Sequence, residues 1–438
     1  MILKLKENIS LILIILIYIS YFLGFYFGEN SIGAGGYDGD LIWIWNNFEI
    51  FKNNNLIDAI NHQDFFGNRT PLLYILNVYI NPFINNIDTY RASLTILSLL
   101  GPLFFYLCLK KKFKNYNKQL LLLISSLLLL SPFYRSNAFW GGEINYGILT
   151  TLISLFYFIG IYKSKNIKFS KDIFLLIFFS SMTVYFDQKL LIVPLIAYIS
   201  LILKKDKKII IFSTLLFFVF ALPFCYLIFI WNGIVPKSTQ LSNPNTITTI
   251  NNINNFYFYN IGYAASIIAF YLIPFILLKK EKVFAIVKNF FTSKQNKYLT
   301  FVPLIYIILL IIFYDFKNYS VDTYWVGFGI LHKISKYLFQ NIIYQEFFTY
   351  ISMVISFFVI FIILDKKIFD YLVITYFFVI SLLLWPLMQE YFDPIILIFF
   401  LLIFKTKFYF KLNTVLITLF YYIIFLIGSN IHYYKLLN

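Results

Sequence analysis

The sequence is poor in charge, in cysteine and in histidine, and each shortage excludes a class of protein. Charged residues make up 13% of the 438-residue chain, about half their share in a soluble globular domain. The 2 cysteines, Cys108 and Cys225, both lie in apolar runs, so we expect neither a disulfide framework nor a cysteine metal site. The 3 histidines show no metal-ligand spacing to one another. The chain is instead 60% hydrophobic, with a mean hydropathy of +0.77.

Apolar runs of membrane-spanning length recur from one end of the chain to the other. They predict an all-α fold, a polytopic transmembrane helical bundle of about thirteen spans with no separate soluble domain. We therefore treat residues 1–438 as a single integral membrane domain. The first run is long and no small-residue cleavage site follows it, which favours a retained helix over a signal peptide. The predicted spans are residues 9–28, 92–109, 119–133, 144–162, 172–187, 190–203, 209–231, 260–278, 299–314, 349–364, 368–387, 392–404 and 413–430.

The placement of the charges predicts the topology. Most of the 36 basic residues lie in alternate connections, such as residues 110–118, 163–171 and 204–208, and most acidic residues lie in the others. By the positive-inside rule the amino terminus is cytoplasmic and the carboxyl terminus extracytoplasmic, in a multi-pass protein of the cell (inner) membrane. The net charge of +16 then reflects topology and attraction to anionic membrane lipid. We expect no nucleic-acid partner.

The first outer loop, residues 29–91, is longer and chemically more mixed than the lysine-rich cytoplasmic connections. Leu41–Phe51 is apolar at most positions and contains two tryptophans, which predicts a juxtamembrane helix with its tryptophans at headgroup level. Pro71–Pro82 is too short to span a bilayer and predicts a second interfacial or re-entrant segment. The loop begins with a glycine-rich stretch that leads into Tyr37-Asp38-Gly39-Asp40.

This arrangement resembles the GT-C integral membrane glycosyltransferases, which use polyprenyl-phosphate-linked sugars; examples are the protein mannosyltransferases and the lipid A glycosyltransferases. The resemblance covers the architecture of nearly the whole chain: an inside amino terminus, about a dozen spans and a long first outer loop with an acidic pair at its start. Its sequence-specific part is small, namely YDGD at Tyr37–Asp40, with weaker likeness at Ser131–Asn145 and Gln389–Pro394. It implies a polyprenyl-phosphate sugar donor, a glycan, lipid or protein acceptor, and an active site on the extracytoplasmic face.

Two interpretations of the acidic pair stay open. Glycosyl transfer needs a base for the acceptor hydroxyl, and the family pattern implies that Asp38 is this base, with Asp40 the next candidate. The two carboxylates would also suit a divalent cation, which prefers oxygen ligands. In the alternative, the Asp–Gly turn is structural and Asp40 caps the helix that starts at Leu41.

Further candidates contact the substrate or its phosphate, whose charge favours arginine and lysine. Each has a structural alternative: a local Arg135–Glu143 ion pair, a local Asp187–Lys189 ion pair, solvated or helix-capping histidines, and a plain turn at Glu390. The candidates for substrate or phosphate binding are Arg69, Arg135, Lys189, Glu143, His62, His332 and Glu390.

Two other functions compete with a GT-C enzyme. An envelope polysaccharide polymerase or ligase also uses lipid-linked glycans, but its large loop usually lies late in the chain and is rich in arginine and histidine. The late loop here, Asp315–Phe348, contains no arginine. A lipid-linked glycan flippase or transporter would place charged or helix-breaking positions within its spans, often in two repeated halves. The predicted spans have almost no such charge and show no repeat.

Overall fold

The computed structural model describes residues 2–32, 37–67, 69–164, 170–242, 256–279, 283–293, 296–317, 327–365, 367–385 and 387–437. This described part is helical, and its only β structure is two isolated bridges, Lys279–Phe408 and Gly327–Met388. The predicted all-α class is therefore confirmed.

The chain divides into two compact units, of which the first comprises residues 1–254 and 426–438. Within it, α9 packs against α6 and α10, and α2 packs against α4. The helices of this unit are α1 Ile2–Tyr26, α2 Ile42–Asn53, α3 Leu56–Asn61, α4 Leu72–Ile80, α5 Ile87–Ser98, α6 Leu100–Lys112, α7 Lys118–Ser125, α8 Pro132–Phe139, α9 Ile144–Lys163, α10 Lys171–Phe186, α11 Ile192–Ile202, α12 Lys207–Trp231 and α13 Lys237–Ser242.

The second unit comprises residues 255–425. Its α14 is buried along most of its length and contacts α17, α18, α19 and α20. The helices are α14 Asn260–Ile276, α15 Val283–Thr292, α16 Lys297–Phe313, α17 Gly329–Leu338, α18 Ile342–Ile363, α19 Ile368–Ser381, α20 Ile395–Leu402 and α21 Leu412–Leu437, whose residues from 426 onward belong to the first unit.

Every predicted span overlaps at least one helix, but the helices differ in length and several cover only part of the predicted span. In the described part, 6 helices are long and apolar enough to cross a membrane, and a bent pair, Lys118–Leu130 with Pro132–Phe139, would be a seventh. The other helices are shorter, which leaves thirteen spans unconfirmed. The 6 are Asn8–Tyr26, Ile87–Lys112, Ile144–Lys163, Lys207–Trp231, Ile342–Ile363 and Leu412–Tyr434.

Lysines at several helix ends bond the last carbonyls of neighbouring helices. Lys163 donates to two carbonyls at the end of α6, at 2.8 and 3.0 Å. Lys204 donates to Tyr162 O near the end of α9 at 3.1 Å. Lys279 does the same at the end of α18, at 3.1 Å. A lysine in this position satisfies carbonyls that have no partner within the helix and complements the negative end of the helix dipole.

The segment that contains Arg135 is a helix, α8, most of which lies beyond the predicted span 119–133. Ser131 begins this helix: its hydroxyl accepts from Tyr134 N–H at 3.0 Å, and Pro132 occupies the first turn, as is usual at helix starts. The axis of α8 bends by 65° from the preceding helix. This bend directs Arg135 toward α1.

Arg135 is 2% exposed and pairs with Glu29, with its Nε 2.9 Å from Glu29 Oε1. Its Nη2 also donates to Ser20 O at 2.7 Å. The local Arg135–Glu143 pair considered from the sequence is therefore wrong. Carboxylate and carbonyl together satisfy a buried guanidinium that would otherwise be costly to bury.

We expect Gly24→Ala to destabilise the protein by about 1–3 kcal/mol, the usual cost of overpacking. An alanine Cβ at position 24 would overlap the Arg135 guanidinium and the Glu29 carboxylate. This cost exceeds the gain of about 1 kcal/mol from replacing glycine in a helix. The measurement is thermal unfolding in detergent. Gly428→Ala is the matched control, since no atom lies within 4 Å of its added Cβ; equal or higher stability of both variants would contradict the close approach at Gly24.

Candidate functional site

The first loop is a folded layer with its own aromatic core. Phe48, Phe51, Phe65 and Tyr74 are buried, and the rings in contact have centroids 5.3–5.5 Å apart: Tyr74 contacts the other three, and Phe51 also contacts Phe65. Both segments predicted to lie at the membrane surface are helical, as α2 and α4, with the short α3 between them; their position at the membrane stays a prediction. Burial of this area stabilises the loop in one conformation.

Asn47 connects α2 to the polar stretch before α4. Its amide oxygen accepts from Phe66 N–H at 3.2 Å, and its Nδ2 donates to Phe66 O and, at 3.0 Å, to Tyr74 Oη. Burial raises the pKa of the Tyr74 hydroxyl, and the Glu143 carboxylate raises it further. Asn47 therefore holds Phe66, at the start of the stretch that contains Arg69, against α2.

The acidic pair lies in a turn of π-helix, Tyr37–Leu41, that continues directly into α2. The Asp40 capping alternative is wrong, because the residue before α2 is Leu41 in a helical conformation with no side-chain cap bond. Asp40 is partly exposed, while the side chain of Asp38 lies outside the described residues. A cation site built on both carboxylates stays a prediction for the same reason.

The π-helical turn packs against the glycine turn that precedes α9. Leu41 is fully buried, and its Cδ1 lies 3.2 Å from where a Cβ on Gly141 would stand. Tyr90 donates a hydrogen bond to Gly141 O at 2.8 Å. Gly141 has a φ of +82°, a conformation that favours glycine. The acidic turn is thereby held beside the residues that lead into Glu143.

Four charged side chains from three separate segments form one group, here called the ion cluster: Arg69, Glu143, Asp187 and Lys189. Arg69 forms an ion pair with Glu143, and its Nε lies 4.0 Å from Asp187. Lys189 Nζ lies 3.5 Å from Asp187. Arg69 comes from the first loop, Glu143 directly precedes α9, and Asp187 and Lys189 follow α10.

The ion cluster is mostly buried. The exposed side-chain fractions are 22% for Arg69, 12% for Glu143 and 6% for Asp187. Asp187 also accepts from Lys189 N–H at 3.0 Å, and Glu143 lies at the positive end of the α9 dipole, which favours a carboxylate. Two cations balance two carboxylates, as buried charges require.

The structure brings together three of the predicted substrate-binding residues, Arg69, Glu143 and Lys189. The local Asp187–Lys189 ion pair is confirmed. Asp187 is the one residue of the ion cluster that was not among the predicted substrate-binding residues. Its position as the last residue of a predicted span, two residues before Lys189, was the available signal. The Arg69–Glu143 pair joins positions 74 residues apart, so no local spacing indicates it.

His62 is not part of the ion cluster; it lies at the end of α3. Its backbone N–H bonds Ala59 O, and its Nδ1 accepts from Asp64 N–H at 3.2 Å. This is the geometry of a helix-terminating residue, which the sequence left as an alternative for His62.

His332 and Glu390 lie in the second unit. His332 is 2% exposed, with its ring 5.4 Å from those of Tyr263 and Phe328. Beside it in the chain, burial lowers the pKa of the Lys333 ammonium to about 8, although the Glu390 carboxylate opposes this shift. These residues form an aromatic and charged cluster within the second unit.

Within the described residues no three histidine, cysteine, aspartate or glutamate side chains lie close enough together to hold a metal ion. The chain matches no protein-family model. Comparison with curated proteins gives no significant match, and comparison with solved structures gives none either.

Proposed function

We propose that the protein is an integral membrane glycosyltransferase that moves a sugar from a polyprenyl-phosphate donor to an acceptor hydroxyl at the extracytoplasmic face. The observation that carries the proposal is the position of the acidic turn. A folded first loop holds it beside the glycine turn before α9, where the ion cluster begins. Carboxylates for proton transfer and cations for a phosphate are thereby collected in one unit.

The two ends of α9 and α10 support the same assignment of faces. Glu143 precedes α9 and Asp187 follows α10, and both belong to the ion cluster. Lys163 and Lys171 lie at the opposite ends of the same two helices. This division agrees with a lysine-rich cytoplasmic face and a mixed outer face. A topology of about thirteen spans with a cytoplasmic amino terminus belongs to the proposal.

The proposed reaction is a substitution at the anomeric carbon of the donor. Asp38 takes the proton of the acceptor hydroxyl, whose oxygen forms a bond to the anomeric carbon, while the bond from that carbon to the polyprenyl phosphate breaks. The phosphate leaves with the electron pair and an added negative charge. Arg69 and Lys189 stabilise that charge by charge-assisted hydrogen bonds, since Arg69 keeps part of its side chain exposed.

The test is a transfer assay with the purified protein in lipid nanodiscs. A panel of radiolabelled polyprenyl-phosphate sugars is offered with extracted envelope lipids, glycans and peptides as acceptors, and protein-free nanodiscs are the control. We expect label to appear in one acceptor class. Absence of transfer from every donor by folded protein would overturn the proposal, and movement of an intact labelled donor across a vesicle membrane would favour a flippase.

A further inference from the structure

Helix α12 is a long, mostly exposed helix with a proline in its second half. It has 25 residues and contains Pro223. In its most apolar stretch 11% of the residues are buried, the lowest share among the 6 candidate spans. Pro223 has no N–H to donate and its ring crowds the preceding turn, which weakens or bends a helix. Few contacts with the rest of the first unit oppose a movement at this position.

The hydroxyl of Tyr185, from α10, bonds both sides of this weak point. Phe224 N–H donates to Tyr185 Oη at 3.2 Å, and Tyr185 Oη–H donates to Phe220 O. An ideal α-helix pairs these two backbone groups with each other. Helix α12 continues through Pro223, but its backbone hydrogen bonding has a gap there, here called the break, because proline has no N–H to donate. A side chain of a neighbouring helix bonds the two backbone groups beside this gap.

Beyond the break, residues 224–242 cover the first loop. Trp231 Nε1 donates to Ile60 O at 3.1 Å, and its ring packs 6.2 Å from Phe65. In α13, the Thr239 hydroxyl both donates to Gly67 O at 3.0 Å and accepts from Gly67 N–H at 2.9 Å. These contacts join the end of α12 and α13 to the stretch just before Arg69.

Tyr185 also contacts the loop directly. The Thr70 hydroxyl donates to Tyr185 O, and Thr70 is the neighbour of Arg69 in the chain. Tyr185 thus touches the break in α12 with its hydroxyl and the loop with its carbonyl, two residues before Asp187 of the ion cluster. Tyr185 therefore connects α12, the first loop and the ion cluster.

We propose that residues 224–242 form a hinged lid over the first loop, with the break at Pro223 as its hinge and the Tyr185 hydroxyl as the contact that holds it closed. The lid is a property of the first unit and does not depend on the reaction. Opening would expose the first loop beside α12, the least covered of the 6 candidate spans in the described part of the chain. An amphiphilic ligand that arrives from the bilayer would pass there.

The distance between two spin labels tests the hinge without any substrate. The labels are placed by Ile57→Cys in α3 and Leu241→Cys in α13, which are 62% and 82% exposed, with Cys225→Ala removing the exposed native thiol and the buried Cys108 retained. The residues from Phe224 to Trp231 span ~12 Å at about 1.5 Å each, so a further bend of ~20° moves the far end by ~4 Å. Pulsed electron paramagnetic resonance resolves such a change.

Tyr185→Phe should add a second, longer distance population, displaced by about 4 Å or more. Tyr198→Phe is the matched control, because the Tyr198 hydroxyl also bonds α12, at Thr214 Oγ1 (2.9 Å), on the other side of Pro223. Its distribution should equal that of the parent. Equal distributions in all three proteins would overturn the hinge.

A second variant keeps the test decisive if Tyr185→Phe is not recovered folded. Pro223→Ala restores the missing N–H and should remove any minor long-distance population of the parent and slow amide hydrogen exchange around Phe224 by at least about tenfold, the effect of 1.4 kcal/mol of added local stability. Unchanged distances together with unchanged exchange would overturn the proposal.

Discussion

Replacing Asp38 by asparagine should lower the rate of sugar transfer by at least about a hundredfold, the lower end of what general base catalysis contributes. Asparagine keeps the size and much of the hydrogen bonding of aspartate but cannot accept the proton. The measurement is the initial rate of transfer at saturating donor, with thermal unfolding to show that the variant is folded.

The matched control for this prediction is Asp64→Asn, which removes a carboxylate from an exposed position of the same loop; its side chain is 73% exposed. We expect its rate to stay within about twofold of the parent, since a surface substitution away from the site changes little. If Asp38→Asn transfers sugar as fast as Asp64→Asn, Asp38 is a turn residue and Asp40 becomes the candidate base.

Replacing Arg69 by alanine should destabilise the first unit by roughly 3 kcal/mol, the lower end for a broken buried ion pair. The lower end applies because 22% of the Arg69 side chain is exposed, whereas Glu143 and Asp187 are more deeply buried. Without the guanidinium, Glu143 loses its ion-pair partner in the ion cluster and Asp187 retains Lys189 alone. The melting temperature in detergent should fall, and transfer should be lost with the phosphate contact.

Two comparisons separate this effect from a general loss of charge. Lys52→Ala breaks a local i,i+3 pair at 2.9 Å with Glu49, whose side chain is 46% exposed, and should cost about 1 kcal/mol or less because the carboxylate left behind is solvated. Adding Glu143→Gln to Arg69→Ala should recover part of the lost stability, because it removes a buried carboxylate that has no counterion. A melting temperature of Arg69→Ala equal to that of Lys52→Ala would show that the ion cluster is not a stabilising unit.

The helices of this protein are predictable because their signal is local. Long apolar runs place α1, α9, α12 and α18 correctly, and the composition of Leu41–Phe51 indicates α2. The sequence overlooked α3, α13, α15 and α17, which are short and lie in the connections between predicted spans, where hydrophobic periodicity has few turns in which to appear. The helix α8 was also missed, although Ser131 and Pro132 carry the usual signals of a helix start.

The candidate site is only partly predictable for a related reason. Spacing along the chain suggested that Arg135 would pair with Glu143. In the structure, the bend before α8 takes Arg135 to Glu29, just after α1, and the first loop brings Arg69 to Glu143. Both outcomes depend on how helices pack, which no window of the sequence contains.

The sequence by itself determined that this chain is an apolar, all-helical protein with helices suited to a membrane, and that its carboxylates and arginines gather outside the lysine-rich connections. These properties follow from composition and periodicity, which act on each segment separately. Only the tertiary structure decided which charges meet in the ion cluster, that the acidic turn is π-helical and lies beside Gly141, and that Tyr185 supports the break in α12. Such contacts join residues tens of positions apart, and burial selects among them because a buried charge or backbone group must find a partner.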